Sequence, residues 1–138
     1  MNEHIIKCRA KRMYKEKKWD GWITGFLVPV VSRNVMTWYI VNEIRGGSIN
    51  GSPIDPSTVG RSTGVQDING REIFEGDIVR YRVTDERYTK NPRYVTTVVE
   101  WDGYYAQWGL KGFLKSDFLS HRLEVLGNIY DNPEPQDK

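Results

Sequence analysis

A chain of 138 residues has room for one domain or two small subdomains. At 38% hydrophobic, 12% aromatic and a net charge of +2, it can bury a modest, ring-rich core, and its overall charge neither demands nor excludes nucleic acid. A single cysteine, Cys8, excludes an intrachain disulfide framework, and the longest apolar run, Phe26 to Val31, is broken by Pro29 and too short for a membrane helix; a soluble protein of a reducing cytoplasm is expected.

The first residues lack the apolar core of a signal peptide. Ile5 to Ala10 predicts a strand, Lys15-Glu16-Lys17-Lys18 a charged loop, and Trp19 to Val28 and Trp38 to Val41 two further strands. Gly46 to Pro53 is rich in small residues and predicts a loop, with a subdomain boundary there. Asp55 is placed to cap a short helical turn, with Pro56 at the first position, where its missing N–H is harmless, and an end by Gly60.

Asn69-Gly70 predicts a tight hairpin, and Glu75-Gly76-Asp77 a turn feeding a strand from Ile78 to Val83. Val95, Thr97, Val99 and Trp101 alternate with Thr96, Val98 and Glu100, the period of a strand with two different faces. Asp102-Gly103 favours a two-residue turn that returns Tyr104, Ala106 and Trp108 on the next strand. Lys115 to Ser120 predicts a short turn. Leu123 to Tyr130 predicts a last strand with a bulge at Gly127, and Asp131 to Lys138 a frayed tail.

Four groups of residues carry candidate chemistry. Asp67, Glu72, Glu75 and Asp77 form the densest carboxylate cluster, which would suit an acid–base pair or a magnesium site. Turn and strand-entry positions favour the plainer role of accepting local backbone N–H groups. His4, His121 and Cys8 show no zinc spacing or nucleophile partnership, and Cys8 in a strand reads as a small buried hydrophobe. Arg45-Gly46-Gly47-Ser48 lacks the Gly-Lys-Ser/Thr ending of a phosphate loop. No catalytic residue, cofactor or metal is expected.

The basic segment Lys7, Arg9, Lys11, Arg12, Lys15, Lys17 and Lys18 could neutralise phosphates while Tyr14, Trp19 or Trp22 stacks bases. Against this stands a solvated hairpin whose charges protect an edge, with strand alternation sending the side chains to both faces. Alternation keeps Trp101, Tyr104, Tyr105 and Trp108 from all pointing inward, so at least one or two are expected on the surface, as a partner or self-association contact.

The runs Asp55-Pro56-Ser57-Thr58-Val59-Gly60, Thr63-Gly64, Asp67 to Val79, and Leu123 to Glu134 strongly resemble the YopX-like family of phage and prophage proteins, as do Arg9-Ala10 and the strand from Trp22 to Val28. The chain departs from that pattern at Lys11 and at Arg61-Ser62. The resemblance implies a mainly β protein with very little helix: an N-terminal β-rich segment over 1–53, a small SH3-like β-barrel over 54–130 and a tail over 131–138. It implies a phage or prophage origin and no known reaction. The leading expectation is a non-enzymatic accessory protein of the host cytoplasm that binds a protein or itself and no membrane. The alternatives are a nucleic-acid-binding barrel and a carboxylate-dependent enzyme.

Overall fold

The computed structural model describes residues 7–14, 21–83, 93–102, 107–110 and 123–132. Among these residues the regular structure is ten β-strands and one three-residue 3₁₀ turn, so the protein is mainly β. The chain divides into two compact units, 1–62 and 63–138.

In the first unit, β1 (Lys7–Lys11), β2 (Trp22–Ser32), β3 (Val35–Arg45), β4 (Ser48–Pro53) and the start of β5 (Gly60–Gln66) lie in one antiparallel sheet, in the order β4-β3-β2-β1-β5. Strands β2 and β3 run much further than the sequence suggests. Their turn, Arg33-Asn34, has positive φ at both residues and no glycine. Such a turn matches the right-handed twist of the flanking strands, but its usual Asn-Gly or Asp-Gly signal is absent. Pro29 sits inside β2 opposite Trp38, past Phe26, the last β2 residue that pairs with β1 among the described residues.

Gly46 to Pro53, expected as a loop, forms instead a turn and β4, which pairs with β3 from Tyr39↔Pro53 to Arg45↔Ser48 around a bulge at Asn42. Small residues suit this strand because backbones crowd there: a Cβ on Gly51 would meet the Ile40 carbonyl oxygen at 2.6 Å. Gly25 is tighter, its Cβ position lying 2.3 Å from the Val41 carbonyl oxygen.

The compact division falls at Ser62/Thr63, beyond the expected boundary at Pro53/Ile54. The cause is local. Ile54 is fully buried with Cys8, Ala10, Ile23 and Ile40, and Leu27, Trp38 and Val59 pack around them. The 3₁₀ turn Pro56–Thr58 is capped by Asp55, whose side chain accepts from the Ser57 amide, as the sequence predicts. Thr58 Oγ1 then accepts from Lys11 N at 2.8 Å, tying the turn to the end of β1.

In the second unit, the end of β5 neighbours β6 (Glu72–Phe74). Strands β7 (Asp77–Val83), β8 (Arg93–Asp102), β9 (Gln107–Leu110) and β10 (Glu124–Asn128) form a four-stranded antiparallel sheet ordered β10-β7-β8-β9. One face carries Val79, Tyr81, Val99 and Val125 into a core with Ile73 and Leu123, with Val65, Val95 and Trp108 packed against it. The expected bulge near Gly127 is present, between Val125 and Gly127. The β8–β9 register pairs Asp102 with Gln107 and Trp101 with Trp108, leaving four residues between the strands. The two-residue Asp102-Gly103 turn would have paired Trp101 with Tyr104; the longer connection replaces it. Lys115 to Ser120 and most of the tail lie outside the described residues.

Candidate functional site

Two members of the carboxylate cluster, Asp67 and Asp77, are committed to backbone. Asp67 is buried, and one of its oxygens accepts from Asn69 N and Arg71 N, both at 2.8 Å, while the other accepts from Val125 N at 2.9 Å. It therefore closes the turn before β6 and pins that turn to β10. Burial pushes its pKa up; the amides of Val125, Arg71 and Asn69 and the Arg71 charge together outweigh this and hold it below the ordinary aspartate value. Asp77 is almost fully buried and accepts from Phe74 N at 2.8 Å across the Glu75-Gly76 turn, where Gly76 has φ +90°. Glu72 and Glu75 are half-buried. Asp55, outside this cluster, is held below its ordinary pKa by the Ser57 hydroxyl and then the Ser57 amide. Among the described residues, no three His, Cys, Asp or Glu side chains gather as a metal site. Cys8 is buried in the first core, as expected; His4 and His121 lie outside the described residues.

Trp101 and Trp108 meet edge to face, with ring centroids 5.0 Å apart and planes at 71°. Both are half-buried, and Trp108 packs on the second core, so this pair contributes to folding. Tyr104 and Tyr105 lie outside the described residues.

The basic segment is arranged differently from the expectation. Lys7, Arg9 and Lys11 share one face of β1, because they are two residues apart; Cys8 and Ala10 take the other face into the core. Alternation gathers these cations and does not scatter them. Lys7 stands opposite Phe26, Arg9 opposite Thr24 and Lys11 opposite Trp22. The Arg9 guanidinium lies 5.0 Å and the Lys11 ammonium 5.6 Å from the centroid of the Trp22 ring. Arg12 leaves this row: its guanidinium donates to the Trp22 carbonyl at 2.6 Å. Lys15, Lys17 and Lys18 lie outside the described residues. The unit division also exposes an asymmetry that the net charge of +2 hides. Residues 1–62 hold ten Lys and Arg against five Asp and Glu, and residues 63–138 ten against thirteen.

Two surfaces were not singled out from the sequence. At the far end of the β2–β3 hairpin, Val31 and its partner Met36 are 69% and 54% exposed on the face that carries Ile23 and Ile40. Val28, Val30 and Val35 are exposed on the opposite face, and the cross-strand pair Ile44 and Ile49 is 72% and 68% exposed. An apolar hairpin end open on both faces was hidden because its turn carries no glycine. In the second unit, a groove of about 340 Å³ is lined by Ile68, Arg80, Tyr81, Arg82, Tyr94 and Glu124. Arg80 there is already paired with Glu124 at 2.7 Å and stacked 4.8 Å over Tyr94.

The family model described as YopX protein matches residues 7–135. A crystal structure of protein EF1440 from Enterococcus faecalis is similar to the chain at 24% identity, with a TM-score of 0.49, and the match covers 94% of this chain and 96% of that one. No curated protein matches.

Proposed function

We propose that this chain, which belongs to the YopX family, acts by binding and not by catalysis, as a protein-binding or self-associating module. The observation that carries this is the apolar hairpin end, where Val28, Val30, Val31, Val35 and Met36 are exposed on both faces of a two-stranded ribbon. Such side chains add nothing to the core of their own unit, and contiguous exposed apolar surface marks interaction sites. The engagement of Asp67 and Asp77 with backbone amides supports the non-enzymatic part, since those oxygens already have structural work.

The proposal extends to an accessory protein of phage or prophage origin, as the family resemblance implies, that acts in the host-cell cytoplasm without cofactor or membrane. It also keeps the SH3-like barrel expected over 54–130, a reading supported by the antiparallel order β10-β7-β8-β9 of its later strands.

Sedimentation equilibrium of the purified chain, with affinity capture from host cells with and without nuclease, tests the binding surface. The expected result is self-association or a nuclease-resistant protein partner that Val31→Ser with Met36→Ser abolishes. A strict monomer that captures nothing, or a partner indifferent to that double variant, would remove the proposal.

A further inference from the structure

We propose that the face of β1 and the first half of β2 opposite the Cys8 and Ala10 core binds single-stranded nucleic acid. This surface is separate from the hairpin end and does not depend on it. Three cations and two rings form its rungs: Lys7 beside Phe26, Arg9 beside Thr24, Lys11 beside Trp22. Phe26 is 44% exposed, and Lys7 beside it is exposed as well. Successive cations on one strand face repeat about every 6.8 Å, a spacing that an extended phosphate backbone can follow. The neighbour of Arg9 on its other side is Gly60 of β5, which raises no side chain over the row.

The charge distribution points to a polyanion. Among the described residues of the first unit, the acidic side chains are Glu43 and Asp55, and neither lies on β1 or β2. A row of cations on a basic unit supplies the non-specific electrostatic attraction typical of nucleic-acid binding.

The rings decide which polyanion. Bases stack on aromatic faces only when they are not already stacked in a duplex, so the exposed ring of Phe26 favours a single strand. The cation contacts to Trp22 also give the platform a fixed arrangement.

The test is fluorescence anisotropy of the full chain with labelled oligothymidine, oligouridine, a short DNA duplex and inorganic polyphosphate, from low to physiological salt. Both single strands are expected to bind, with a log–log salt slope of about −2, from three phosphate contacts at roughly 0.7 each. Lys7→Ala with Arg9→Ala and Lys11→Ala should flatten that slope and reduce affinity at least tenfold. Phe26→Ala should weaken binding about tenfold at unchanged slope, because it removes a stack and no charge. Val31→Ser with Met36→Ser should bind as the parent does, which separates this surface from the hairpin end.

Absence of binding at low salt would overturn the proposal. So would equal affinity for duplex or polyphosphate, or a triple variant that binds as the parent does. The exposed single variant Lys7→Glu, with circular dichroism to confirm its fold, keeps the test valid if the triple variant fails to fold.

Discussion

The two units use their unusual residues in opposite ways. Among the described residues of 63–138, the conspicuous Asp67, Asp77 and Trp108 are consumed by folding: Asp67 satisfies three backbone amides, Asp77 closes a turn, and Trp108 packs on the core against Trp101. In residues 1–62 the core is built from Cys8, Ala10, Ile23, Ile40 and Ile54, and much else is left on the surface. The cation row of β1 and the aliphatic end of the β2–β3 hairpin both exceed what that core requires. A polar residue that is buried and fully bonded has its structural reason in view. Apolar side chains kept in water have none, and this is why the first unit is the place to look for function.

The largest effect should come from Asp67→Ala. It leaves three amides without their charged acceptor, two of them in the turn and one on β10, and should cost about 4 kcal/mol. Urea unfolding, with hydrogen exchange at Arg71 and Val125, measures it. A variant as stable as the parent would free the carboxylate for chemistry and undo the contrast between the units.

Next is Gly25→Ala in the first unit, where a Cβ would lie 2.3 Å from the Val41 carbonyl oxygen. The backbone of β2 or β3 must shift, at about 2–3 kcal/mol. Hydrogen exchange should show the loss at β2 and β3.

The pH response follows from the lowered pKa of Asp67. Its charged form is favoured by folding, so its contribution is fully present above the ordinary aspartate value of about 3.9 and is lost as pH falls through the depressed native value. Urea midpoints measured across that acid range should fall with pH. Asp67→Asn should fall less steeply, and equal slopes would show that Asp67 does not carry the effect.

The smallest expected change is a gain. Asn34→Gly relieves a positive φ in the hairpin turn and should stabilise the chain by about 0.5–1 kcal/mol. It leaves the side chains of the apolar hairpin end in place, so self-association or partner capture should persist. Loss of capture in this more stable chain would instead implicate the turn side chain in the contact.

Much of the fold was legible from the residues. Glu75-Gly76-Asp77 marks a tight turn in any context, since only a residue tolerant of positive φ fits and the aspartate bonds locally. Asp55-Pro56 announces its 3₁₀ turn for the same reason, and the alternation from Val95 to Trp101 shows a strand with one core face. The Arg33-Asn34 turn was not legible, because an arginine at positive φ is held there by the long strands it joins and not by its own preference. Strand β4 was hidden because small residues read as loop until β3 comes close enough to require them. The basic row sat in the sequence at odd spacing, yet its meaning depended on Cys8 and Ala10 facing inward.

By itself, then, the amino-acid sequence determined the β character, the tight turns from Asp55 to Asp77 and the family resemblance, because these depend on short-range backbone preferences and on alternation. Only the tertiary structure decided which carboxylates were buried, where the units divide and which side chains share a face. Those properties depend on pairing between residues far apart in the chain, as in Asp67 with Val125 and Lys7 with Phe26, and no local preference encodes them.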